Sequence, residues 1–117
     1  MSEPTGALIH RHVPDMERLT TDVLFGEVWR DARLSKRDRS LVTIAMLLVL
    51  RAEGALRGHI LRGIGHGVTI DEIRALITHA TMYGGWPVAE HAVHLLDDLQ
   101  LSSEGPYEPC RKICCAE

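Results

Sequence analysis

Between Arg37 and Leu50 the chain reads RDRSLVTIAMLLVL, and from Leu41 onward Thr43 is its one polar interruption. Such a run is too long for an ordinary strand and falls short of the roughly 20 apolar residues that cross a bilayer. Containing no Gly, Pro or Asn, it predicts a buried central helix. Asp38, Arg39 and Ser40 form its wetter first turn. Ser35 followed by Asp38 has capping-box spacing, with Asp a shorter partner than Glu or Gln. A helix that is apolar nearly all round must be covered by other helices or by other subunits.

The remaining chain reads as cover for it. Residues 1–12 are polar and broken by Pro4 and Gly6, as expected of a loosely held arm. Helical periodicity follows from Pro14 to Arg30, with Met16, Leu19 and Val23 on one side and Gly26 dividing a first helix from a short second one. Gly54 marks a break after the central helix. Ala55 to Gly67 then carries an apolar stripe of Leu56, Ile60, Leu61 and Ile64, in which Gly58 and Gly63 suit close helix contacts. Thr69 and Glu72 form a capping box before Ile73, Leu76, Ile77 and Ala80. Gly84-Gly85 interrupts that helix, and Pro87 opens a last one bearing Val88, Ala92, Leu95, Leu96 and Leu99. The expectation is an all-α domain of five or six helices over 13–101, with a cysteine-containing mobile tail at 102–117. Its apolar content exceeds what 117 residues bury alone, so helix surface shared between subunits is expected.

Composition narrows function. With 13 basic and 16 acidic side chains interleaved, the net charge of -3 offers no basic face for nucleic acid. No segment reaches membrane-spanning length, and the first residues lack the pattern of a signal peptide. Cys110, Cys114 and Cys115 are odd in number and confined to the last eight residues, unlike a secreted disulfide framework, so the cytoplasm is expected.

Four histidines stand out. His59 lies beside Arg57 and one turn before Arg62, His79 and Tyr83 share a helix face four apart, and His91 and His94 follow Pro87. Imidazoles offer acid, base and donor chemistry near neutral pH, although histidines on short helices also cap, join interfaces or face water. A metal site is not expected: there is no HExxH and no zinc-type cysteine pair. GIGHG lacks the strand-turn-helix setting of a nucleotide loop, and Ser35 and Ser40 serve capping and the first turn rather than a nucleophile elbow.

The blocks LFGEVWRDARLSKRDRSLVTIAMLLVL and RGHILRGIGHGVTIDEIRALITHATMYGGWPVAEHAV, spanning roughly Leu24 to Val93, resemble the carboxymuconolactone decarboxylase family of the wider AhpD-like superfamily. The resemblance implies a helical subunit assembled as a trimer or hexamer, with sites at subunit contacts. A redox branch of the superfamily carries CxxCxxxH. Aligned on His59, its two thiol positions fall on Ala52 and Ala55, and its upstream acid on Ser40, so thiol peroxidase chemistry is not expected.

The decarboxylase branch uses no thiol and no cofactor. In its substrate, 4-carboxymuconolactone, loss of CO2 from the ring carbon pushes electrons through the double bond into the lactone carbonyl. Donors stabilise that oxyanion, and an acid then protonates the dienolate. On this resemblance His59 is the acid or oxyanion donor. His79, Tyr83 and His91 are candidates for the pocket wall, and Arg39, Arg51 and Arg57 are candidate carboxylate clamps. Trp86 shapes the pocket or fills a corner after the Gly-Gly break. The glycines and alanines of AEGALRGH suggest room for another substrate. The alternatives are a related lyase, isomerase or cyclase on a small carbonyl compound, and a non-catalytic oligomeric binding protein.

Overall fold

The computed structural model describes residues 3–101. Cys110, Cys114, Cys115 and the expected tail at 102–117 lie outside the described residues. The elements are α1 (Thr5–His12), α2 (Pro14–Arg18) running on into a π-helical turn (Leu19–Leu24), a 3₁₀ turn (Val28–Arg30), α3 (Lys36–Val49), α4 (Glu53–Gly65), α5 (Ile70–Gly84) and α6 (Trp86–Asp98). Among the described residues there is no strand, and the fold is all-α with six α-helices.

The central helix forms where the apolar run places it. Ser35 caps α3 by accepting from the Asp38 amide at 3.0 Å. Ser40, Ile44 and Leu48, spaced four apart, make its buried stripe, and α3 packs on α4, α5 and α6 along it. The opposite side is not covered within the subunit: Val42, Met46, Val49 and Leu50 are exposed. Cover by the chain's own helices is thus confined to one stripe.

α4 starts two residues earlier than expected, at Glu53 rather than Ala55, and ends at Gly65. Gly67, at φ +96°, makes the left-handed turn that releases the chain into Val68, which is buried. Of the two α4 glycines, Gly63 sits where α3 and α4 approach closely, whereas Gly58 faces open space. The Thr69–Glu72 capping box is present in both directions, at 3.1 Å and 3.0 Å. Glu72 also pairs with Arg37, tying the start of α5 to the start of α3. Gly85 at φ +100° divides α5 from α6, whose first turn holds Pro87.

Ile44, Leu48, Leu56, Ile60, Ile73 and Ala92 form the centre of the core, each at most 1% exposed. α1, α2 and the π-helical turn bury none of their residues. The arm expected at 1–12 thus contains a helix, laid against α2 rather than against the core. The radius of gyration, 17.3 Å, exceeds the about 13 Å of a compact chain of this length, because this N-terminal part projects from the bundle.

Candidate functional site

Trp29 is the one buried residue ahead of α3, and polar groups surround its indole. The His59 imidazole stacks on it, with centroids 6.3 Å apart and an interplanar angle of 21°. The His66 ring is tilted against it at 5.7 Å, and the Arg39 guanidinium lies 5.9 Å from its ring centroid. His59 and His66 are seven residues apart, two helical turns, so α4 presents them on one side. Ser40, buried on α3, brings its hydroxyl within 2.9 Å of Nδ1 of His66.

Two buried polar atoms here have no protein partner: His59 Nδ1 and Arg39 Nε. A buried N–H or ring nitrogen without a partner is costly, and native proteins keep few of them. Burial, and secondarily Arg62, holds the His59 pKa below the ordinary histidine value, favouring a neutral ring. Arg39 Nη2 donates to the carbonyls of Asp31, at 2.7 Å, and Leu34, at 3.1 Å. It therefore pins the loop before α3, and its Nε–H is left for another acceptor.

Beside this cluster a cavity of about 260 Å³ is lined by Phe25, Trp29, Arg30, Lys36, Arg62 and His66. Arg62 lies over the Phe25 ring, 5.3 Å from its centroid. Aromatic walls with three cations suit a small, flat, anionic molecule.

Other expected site residues lie elsewhere in the subunit. His91 Nε2–H donates to the Leu48 carbonyl at 3.0 Å, satisfying the end of α3. Its Nδ1 faces Glu53 at 3.9 Å, beyond hydrogen-bond reach. His91 lines a second cavity of about 290 Å³ with Glu53, His94 and Asp98. His79 and Tyr83 do associate, with rings 4.9 Å apart, on the surface of α5. Tyr83 is 83% and Trp86 61% exposed. Arg51, at φ 56° in the α3–α4 turn, and Arg57 are exposed as well. The chain therefore gathers His59 and Arg39 but not His79, Tyr83, His91, Arg51, Arg57 or Trp86 around the indole. A further cavity, of about 520 Å³ between α5 and α6, is lined by His94 together with Arg74, Thr78 and Asp97.

Trp29 and His66 are not among the site residues expected from sequence, where His66 falls within GIGHG. The seven-residue interval from His59 was the available signal for His66. At the two thiol positions of the redox branch, Ala52 precedes the first turn of α4 and Ala55 lies within it.

The sequence model of the carboxymuconolactone decarboxylase family matches residues 14–98. Over 85 residues the chain is 39% identical to a 4-carboxymuconolactone decarboxylase of Acinetobacter baylyi, covering 73% of this chain and 63% of that protein. It is 35% identical over 71 residues to a nitrosuccinic acid decarboxylase of Metarhizium robertsii, covering 61% and 50%. The chain thus spans between half and two thirds of the length of these relatives. The family match runs from α2 to α6 and takes in Trp29, Arg39, Ser40, His59 and His66. By that match, the chain belongs to the carboxymuconolactone decarboxylase family.

Proposed function

We propose that this protein is a lyase that removes CO2 from 4-carboxymuconolactone or a closely related carboxylated lactone without metal or cofactor. The observation that carries this reading is the Trp29 cluster: a neutral, partly desolvated imidazole and an arginine N–H without partners, beside an aromatic cavity rimmed with cations. Decarboxylation asks for these features. The departing carboxylate is poorly solvated against the indole, electrons flow into the lactone carbonyl, and N–H donors stabilise the oxyanion. In this reading His59 is the donor to that oxyanion or the acid, and Arg39 contacts a carboxylate through Nε–H. Arg51 and Arg57 are secondary clamps. The likeness to a nitrosuccinic acid decarboxylase supports the reaction class independently of the lactone ring.

The protein acts as a trimer or hexamer. The exposed stripe of α3 and the exposed Tyr83 and Trp86 support subunit contacts through these faces. Packing of a neighbour there is the route by which His79, Tyr83, Trp86 and His91 join a site.

The test is incubation of the purified protein with 4-carboxymuconolactone, following CO2 release and enol-lactone formation, with His59→Ala as control. Turnover that collapses in the variant is expected. Absence of turnover by folded oligomer overturns the assignment in favour of a diverged lyase, isomerase or cyclase, or a non-catalytic binding protein.

A further inference from the structure

We infer that His66, oriented by Ser40, delivers the proton that completes the reaction, leaving His59 as the oxyanion donor. This assignment rests on the decarboxylase reading and divides between two imidazoles the roles that reading leaves joined.

The argument turns on what each ring nitrogen touches. A proton donor must change protonation state during turnover and regain its proton. His91 lies away from the indole: its Nε2–H donates to the Leu48 carbonyl, and its ring lines a different cavity. His59 has a buried Nδ1 with no partner, and burial together with Arg62 disfavours its charged form. Such a ring is suited to donating a hydrogen bond while neutral. His66 differs from both. Its Nδ1 meets a hydroxyl, which accepts from an N–H or donates to a lone pair with equal ease. The Ser40 contact therefore survives in either tautomer and in the imidazolium. Nε2, on the far side of the ring, has no hydrogen-bond partner among the described residues, and the ring lines the cavity with Trp29 and Arg62. Ser40 is itself 1% exposed and pinned within α3, so it fixes the ring's rotation.

The step balances as follows. The C–C bond to the departing carboxylate breaks, and its electron pair enters the conjugated lactone as the dienolate. A C–H bond then forms at the carbon next to the lactone carbonyl, with the proton from His66 Nε2. Neutral His66 takes a proton from water, one for each CO2 released.

The experiment is turnover of 4-carboxymuconolactone in D2O by wild type, His66→Gln and Ser40→Ala, recording kcat, KM and the stereochemistry of deuterium at the new CH2 group. Wild type is expected to place deuterium on one face. His66→Gln should lose about 100-fold in kcat, with deuterium scrambled between faces as water protonates the dienolate. Ser40→Ala, a positioning change, should lose about tenfold in kcat at nearly unchanged KM, with partial scrambling. An active wild type alongside a His66→Gln variant that keeps its kcat and its facial selectivity overturns the assignment while leaving the decarboxylase intact. A His66→Gln effect unaccompanied by any Ser40→Ala effect overturns the positioning role. Inactive wild type overturns the parent reading, and this one with it.

Discussion

Gly63 on α4 faces Ile44 on α3 so closely that a Cβ added to the glycine would lie 3.1 Å from the isoleucine Cδ1. Ile44 is fully buried, and its methyl has little room to retreat. Gly63→Ala is expected to destabilise by about 1 kcal/mol, since overpacking exceeds the gain in helix propensity. Gly58, on the same helix with nothing within 4 Å, predicts the opposite sign: Gly58→Ala should stabilise by about 0.5–1 kcal/mol. Urea unfolding of both variants decides it, and equal effects would refute the close-approach account.

The lowered pKa of His59 makes stability depend on pH with a definite sign. The unfolded chain takes up this proton more readily than the folded one. The stability involved is therefore fully present above about 6.5, the ordinary histidine value, and is lost as pH falls through the lower folded value. His59→Gln should flatten the fall in unfolding free energy on acidification. An unchanged slope would assign the dependence to other groups.

Helix starts provide a second stability test. Thr69 both accepts from Glu72 and has its amide bonded by the Glu72 side chain, whereas Ser35 has only the first of these bonds. Thr69→Ala and Ser35→Ala should each cost about 1 kcal/mol. Glu72→Gln keeps the capping geometry while removing the charge that meets Arg37, and should cost less than either, as exposed ion pairs do. Thermal unfolding ranks the three.

Arg39 ties the Asp31–Leu34 loop to α3 through two carbonyls while flanking Trp29. Arg39→Ala should cost about 1–3 kcal/mol and shift the emission of Trp29 to the red, read in a Trp86→Phe background. Arg39→Lys, lacking the planar fork, should recover only part of the loss. Emission unchanged in Arg39→Ala would mean that the loop and indole are held by other contacts.

Much of the fold could be read from sequence because it is local. The apolar run, the Ser35 and Thr69 caps, Gly85 and Pro87 each act within a few residues of themselves, and the helices follow from them. His59 and Arg39 were identified from the family resemblance and do flank one indole. Ser40 and His66, separated by 26 positions, meet only because α3 and α4 pack together, and no local pattern announces that contact. Trp29 was hidden for the same reason: in a short turn its periodicity marks it as apolar but not as the wall of a cavity. His79, Tyr83, Trp86 and His91 lie away from that wall, and spacing along one chain does not encode which helix faces turn toward the indole.

Trp29 has one more consequence. It is the only buried side chain in residues 3–34, while the core of the bundle is drawn from α3 onward. The cavity's aromatic wall and the protein's folding energy are thus supplied by different parts of the chain. Exchanges at Phe25 or Arg30 can reshape the chamber with small penalty to the bundle, so selection can alter its walls without first acquiring spare robustness.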